Sequence, residues 1–215
     1  MSNGLAIFTG GNGLEERHEN DYYPTPTAST MALLDYIKEN NLYNLDGCTI
    51  AEPAAGGGHI TNVLKSLDNV NIISSDLYDY GNPEIISGIG FIDTNFYDDK
   101  NTDWVITNPP YDSKLLMPFI HKSLSVANKG VMMLLKLTFL ESTSRMNFFK
   151  TNKMLKHIIV FSNRQPLYKN GEVNYKSSAI AYAWYIWDKD YVGQPQIDWI
   201  ENTELCKIHK KNGIY

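Results

Sequence analysis

Short apolar runs alternate with helix-spaced segments along most of this chain, and that alternation restricts the fold more than any other feature. Strands are predicted at residues 49–52, 70–74, 90–92, 103–107 and 131–135, with helices at 28–40, 59–67, 115–127 and 142–150. Pro118 falls in the first turn of the helix at 115–127, where its missing N–H is not needed. The run Val131, Met132, Met133, Leu134, Leu135 is wholly apolar, as expected of a strand buried on both faces. Two further strands, 156–161 and 179–187, follow without a helix between them; a turn at Asn170-Gly171 would pair them as an antiparallel hairpin. The expectation is an α/β fold: a mostly parallel seven-stranded sheet, helices on both faces, and an antiparallel C-terminal hairpin.

Sheets of this kind bind ligands beyond the carboxyl ends of their strands. The least common local sequences here lie at such ends: Glu52 to Gly58, Asp76, and Asn108 to Tyr111. Gly56, Gly57 and Gly58 let the backbone approach a ligand and lead into a helix. Glu52, just before them, suits a ligand with a cationic amino group, such as the amino-acid end of S-adenosylmethionine; the same turn is also compatible with packing alone. Asp76 closes the second predicted strand at about the distance, roughly 20 residues, at which a carboxylate accepts hydrogen bonds from ribose hydroxyls. A solvated strand-end aspartate is the alternative. Leu77 is placed to pack on an adenine ring, and Asp93, at the end of the third predicted strand, to accept from its amino group.

The sequence Asn108-Pro109-Pro110-Tyr111 suits one chemistry closely. An amine on an aromatic ring is a poor nucleophile because its lone pair is delocalised. Two acceptors on its hydrogens, the Asn108 side-chain oxygen and the Pro109 carbonyl, would draw it towards tetrahedral geometry. Paired prolines hold those carbonyls rigidly and bring no competing N–H. Tyr111 can stack on the acceptor ring. Transfer then depends on proximity and orientation, without a side chain of tuned pKa.

On these residues the chain resembles the amino-methyltransferases with the NPPY signature, in particular small phage-type DNA adenine methyltransferases. The resemblance implies the class I, Rossmann-like fold of S-adenosylmethionine-dependent methyltransferases over residues 22–200. Residues 1–21 would then be a flexible arm and 201–215 a tail, with no separate target-recognition domain. It implies S-adenosyl-L-methionine as cofactor, with Tyr23, Pro24 and Thr25 near its carboxylate and Glu52, Pro53, Ala54, Gly56 and Gly58 around its methionine part. Asp76, Leu77, Asp93 and Asn108 complete the cofactor set. Asn108, Pro109, Pro110 and Tyr111 are the catalytic residues it implies, and N6 of adenine in DNA the acceptor, with site-specific or relaxed recognition. Lys136, Phe139, Phe161, Arg164, Lys169 and Lys176 are the substrate-binding candidates, with Phe139 or Phe161 as the wall opposite Tyr111.

Composition narrows the alternatives. The chain has 215 residues, 43% of them hydrophobic, enough for one domain with a substantial core. No run of about 18 apolar residues predicts a membrane span, and Met1 to Gly13 does not read as a secretory signal. Cys48 and Cys206 form no pair and the five histidines have no metal spacing, so a cytoplasmic protein without a metal is expected. The net charge of −5 is unusual for a protein that binds nucleic acid, whose affinity comes largely from phosphate neutralisation. Either basic residues cluster locally or the acceptor is something else. DNA is the first expectation as partner. RNA bases and a non-catalytic cofactor-binding module are the competing readings, and a homodimer or partner subunit stays open.

Overall fold

A computed structural model of the protein describes residues 23–165 and 180–212, except for the side chain of Lys210. The apolar run at the centre of the sequence becomes β4 (Gly130–Lys136), the strand around which the sheet is organised. On its parallel side lie β3 (Trp104–Thr107), β1 (Thr49–Glu52) and β2 (Asn71–Ser74). On its other side lie β6 (Tyr182–Asp188), β5 (Leu155–Phe161) and β7 (Gln196–Ile200), giving the order β2-β1-β3-β4-β6-β5-β7. β6 runs antiparallel to both of its neighbours, and every other pairing is parallel.

The two-residue period of β4 divides the core. Met132 and Leu134 pack on one face with Leu33 of α1 (Thr27–Glu39), Ile60 and Leu64 of α2 (His59–Leu64), and Trp184. Val131, Met133 and Leu135 pack on the other with Phe119, Ile120 and Leu124 of α3 (Leu116–Val126). A helix α4 (Thr143–Thr151) follows a 3-10 turn at Leu137–Leu140 and contributes no fully buried residue.

Two expectations are corrected here. Residues 90–92 are not a strand. They lie in a turn closed by Asp93 N–H donating to the Gly90 carbonyl at 3.1 Å, and Phe91 points inward against Tyr97 and Phe119. The apolar signal there reflects burial of one ring beneath α3, not ladder pairing. The seventh strand is β7, which sequence reading missed because an edge strand exposed over four of five residues has no apolar run to reveal it. The segment after Ile200 carries a helix, α5 (Thr203–Asn212). The antiparallel pairing of β5 with β6 is as expected, while the Asn170-Gly171 turn lies outside the described residues.

A buried polar network places the chain just before α1. Gln165 and Asn202 exchange side-chain amide hydrogen bonds at 2.9 and 3.0 Å. The Ser29 hydroxyl donates to Gln165 at 2.7 Å, Asn202 donates to the Ala28 carbonyl at 3.2 Å, and the Trp184 indole N–H donates to the Ser29 carbonyl at 3.0 Å. The start of α1, and with it Tyr23 to Pro26, is thereby fixed beside the strand ends.

Gly130 has no room for a side chain. A Cβ there would lie 2.2 Å from the Trp187 backbone oxygen and 2.5 Å from Trp104 Cζ3. Neither a ladder carbonyl nor a buried indole can withdraw, so Gly130→Ala should destabilise the protein by about 3 kcal/mol, at the upper end for overpacking. The melting temperature should fall by roughly 6–12 °C in calorimetry.

Candidate active site

β1, β2 and β3 end side by side, and the segments leaving them enclose one cavity of about 490 Å³. β1 ends on Glu52, and the chain reverses into α2 through Gly56 and Gly58, both at positive φ. A side chain at Gly58 would collide at 2.7 Å with the Asn82 amide, which donates to the Gly57 carbonyl at 2.9 Å. Asp76, just beyond β2, ties the turn to the second strand. Its carboxylate accepts the Gly56 N–H at 2.8 Å and the Tyr78 N–H at 3.0 Å.

Both carboxyl groups are held in a poorly solvated place. Glu52 is 1% exposed and accepts a hydrogen bond from the Thr61 hydroxyl, which also meets Ser74 Oγ at 2.6 Å. Burial pushes its pKa up to about 8, the Thr61 bonds opposing and nearby Asp76 adding to the rise. Burial also raises Asp76, against the backbone N–H groups it accepts. His59 lines the same cavity, and desolvation lowers its pKa, so it faces the cavity as a neutral imidazole.

Glu52 therefore makes unliganded stability depend on pH. The folded protein keeps this proton up to about pH 8, whereas an unfolded chain releases it near 4.3. The native state binds more protons throughout that window, so stability falls as pH rises through it, by at most about 1.4 kcal/mol per unit. Glu52 should lower the melting temperature by up to roughly 3–6 °C per pH unit between pH 5 and 8, read as the difference in slope between wild type and Glu52→Gln.

The fully buried β3 delivers Asn108, Pro109, Pro110 and Tyr111 to the opposite side of the cavity. Asn108 Nδ2 donates to Thr25 Oγ1 at 2.9 Å and faces the Tyr23 carbonyl at 3.4 Å. Asn108 Oδ1 accepts from the Tyr111 hydroxyl, which also reaches the Leu134 carbonyl at 3.1 Å. The Tyr111 ring lies 4.9 Å from Lys136 Nζ and 6.0 Å from the Tyr182 ring.

Tyr23, Pro24, Thr25, Glu52, Pro53, Ala54, Gly56, Asp76, Leu77, Asp93, Asn108, Pro109, Pro110 and Tyr111, from five separate stretches of chain, all line this cavity. Gly58, the residue before α2, is not among the lining residues. Lys136 stands beside Tyr111 without lining it, and Arg164 is exposed elsewhere. Lys169 and Lys176 lie outside the described residues.

Phe139 and Phe161 are not the expected wall. Phe139 is 3% exposed, packed against Phe149 and Tyr185 with the Arg145 guanidinium 4.9 Å above its ring. Phe161 is 4% exposed in the core on the other face of the sheet. Their apolar contacts are saturated by the two cores, which leaves no ring face for a ligand. Arg145 donates to the carbonyls of Phe139, Thr138 and Glu141, which makes it a cap of the 3-10 turn. The exposed apolar surface at the cavity is instead Leu77, Tyr78 and Leu115, with Tyr80 beside them. Tyr78 and Tyr80 directly follow the Asp76-Leu77 pair, and that adjacency was the available signal for them.

No family model matches the chain, and no curated protein matches it. Solved structures do. A candidate RNA methyltransferase from Pyrococcus horikoshii superposes with a TM-score of 0.57 at 18% identity, over 78% of this chain and 86% of that one. A type I restriction-modification system methyltransferase subunit from Streptococcus thermophilus gives 0.55 at 14% identity; it is matched over 84% of this chain and 47% of its own length, so the chain spans about half of it. A predicted O-methyltransferase from Agrobacterium tumefaciens gives 0.56 at 12% identity, over 88% of this chain and 98% of that one. The architecture is that of the class I S-adenosylmethionine-dependent methyltransferases, with a mostly parallel seven-stranded sheet interrupted by one antiparallel strand. No helix among the described residues is long and apolar enough to cross a membrane.

Proposed function

We propose that this protein transfers the methyl group of S-adenosylmethionine to an exocyclic amino group, and that the acceptor is N6 of adenine in DNA. The observation that carries this reading is the placing of the Asn108 carboxamide and the Asn108-Pro109-Pro110-Tyr111 turn across one cavity from buried Glu52 and Asp76. The cavity has the size of a small-molecule site, roughly 300–1,000 Å³. A buried carboxyl group with a raised pKa fits a cationic amino group, since pairing would restore the charge that burial disfavours. Asp76 retains lone pairs beyond those used by Gly56 and Tyr78, as acceptors for hydroxyls.

Bound S-adenosylmethionine supplies a methyl group on a cationic sulfur. The protein's part is to orient the acceptor amine and to exclude water. Asn108 Oδ1 and the Pro109 carbonyl accept the two amine hydrogens and turn the nitrogen lone pair towards the methyl carbon. The N–C bond forms as the S–C bond breaks, leaving S-adenosylhomocysteine, and the alkylated amine releases one proton to solvent. A base in a duplex must be extruded before its amine can reach such a site, so single-stranded substrate should react faster. The structural likeness to nucleic-acid methyltransferases supports a nucleic-acid acceptor.

Incubation with methyl-labelled S-adenosylmethionine and separate DNA, RNA and protein acceptors, followed by nucleoside mass spectrometry, tests the reading. Label in N6-methyladenine from DNA is expected. Label confined to RNA would move the acceptor, and label in no nucleic acid would overturn the assignment.

A further inference from the structure

The Asn108 carboxamide has two chemically different ends, and its surroundings hold each with a different strength of preference. As observed, Nδ2 faces Thr25 and Tyr23 while Oδ1 faces the Tyr111 hydroxyl. Most of this could be satisfied equally with the amide turned over. The Thr25 hydroxyl would then donate to Oδ1, and Nδ2 would donate to the Tyr111 oxygen, whose hydrogen would pass to the Leu134 carbonyl 3.1 Å away. Only the Tyr23 carbonyl, which accepts and cannot donate, opposes the turned state, and at 3.4 Å it does so weakly. The two orientations are not equivalent for chemistry, because only one offers an oxygen on the Tyr111 side of the site. An element with two such states is biased by whatever interacts with one state better.

Thr25 is the point at which a ligand can apply that bias. It is 5% exposed and lines the cavity, and its hydroxyl hydrogen has no acceptor among the described residues. A ligand oxygen that takes this hydrogen leaves Thr25 Oγ1 with lone pairs only. Nδ2 is then the only end of Asn108 that can face it. Oδ1 is held on the far side, where one lone pair meets Tyr111 and the second is open to an amine.

We propose that Thr25 is a positioning residue: its hydroxyl translates a ligand oxygen in the cavity into a single orientation of the Asn108 carboxamide, oxygen towards the acceptor. The proposal rests on the methyl-transfer reading, in which the carboxylate of S-adenosylmethionine is the oxygen concerned. Bound cofactor thus prepares the acceptor side of the site before the amine arrives.

The side-chain amide of Asn108, identified in ¹⁵N NMR by its loss in Asn108→Ala, reports the relay directly. On adding S-adenosylhomocysteine, which keeps the carboxylate, the wild-type Nδ2 protons should sharpen to one set and exchange with solvent at least about tenfold more slowly. Thr25→Ser should behave like wild type, and Thr25→Val, checked for folding by its melting curve, should not respond even at saturating ligand. At saturating cofactor Thr25→Val should lower kcat on an adenine-containing oligodeoxynucleotide about tenfold, with KM within twofold, as a misplaced contact would. In the Asn108→Ala background it should lower kcat no further. A wild-type Asn108 signal unmoved by S-adenosylhomocysteine, a normal response in Thr25→Val, or a silent Thr25→Ser overturns the proposal. A normal Asn108 response without methyl transfer to any acceptor would instead remove the reaction and leave the relay standing.

Discussion

Replacing Asn108 by alanine should reduce methyl transfer by about 10²–10³-fold, the loss typical of a polar group that acts mainly in the transition state. The expectation follows from where the carboxamide sits. Asn108 leaves a strand with no exposed residue, and its nitrogen is tied to Tyr23 and Thr25. Only its oxygen remains to meet an acceptor. Removing it leaves an aromatic amine with one acceptor, the Pro109 carbonyl, and the lone pair drifts back into the ring. In the proposed reading the cofactor is held by Glu52, Asp76, the glycine turn and Thr25, none of which Asn108→Ala removes, so its Kd should stay within about threefold. Single-turnover rates at saturating S-adenosylmethionine, paired with calorimetric titration of S-adenosylhomocysteine, separate the two quantities. Normal turnover by Asn108→Ala would remove Asn108 from the chemistry, whatever the acceptor proves to be.

The largest effect on binding is expected at Glu52. Truncating one partner of a buried charge pair costs about 2–5 kcal/mol, so Glu52→Gln should weaken S-adenosylhomocysteine roughly 30-fold or more. The pH profile distinguishes this role from a general loss of packing. Without ligand, Glu52 holds its proton up to about pH 8. A cationic amino group binds the carboxylate form, so below that pH binding must release a proton, and affinity should rise by up to about tenfold per unit as pH increases. Above it the ligand's own α-amino group, with a pKa of about 8, loses its charge and affinity turns down. The wild-type profile should therefore peak near pH 8, with proton release measurable as a dependence of binding heat on the buffer's ionisation heat. Glu52→Gln should lose the rising limb and the released proton. A rising limb that survives in Glu52→Gln would place the titrating group elsewhere.

The contrast between Asn108 and Phe139 indicates what sequence can and cannot reveal here. Asn108, Glu52 and Asp76 were recognisable because each closes a short apolar strand, and strand ends in an alternating α/β chain converge on one edge of the sheet. The order of elements from α1 to β1 and from β3 to β6, and the Glu52 and Asp76 side of the cavity, follow from local periodicity and from side-chain chemistry at those ends. Phe139 and Phe161 carry the same aromatic chemistry as a ligand wall, but their burial depends on partners in distant strands, including Tyr185 and Trp184. Nothing local separates a ring that faces a core from one that faces a cavity.

Local patterns of a few neighbouring positions encode the four strands β1 to β4 and the residues at their carboxyl ends. Tertiary structure alone decided that β6 lies between β4 and β5, that an exposed edge strand supplies the seventh place in the sheet, and that residues 90–92 form a turn. It alone brought Thr25 to 2.9 Å from Asn108 across 83 positions of chain. Contacts of that kind are selected by the packing of whole elements, here through Ser29, Gln165 and Asn202 at the start of α1. A hydrogen-bonding group carries no local mark of which distant partner that packing will bring to it.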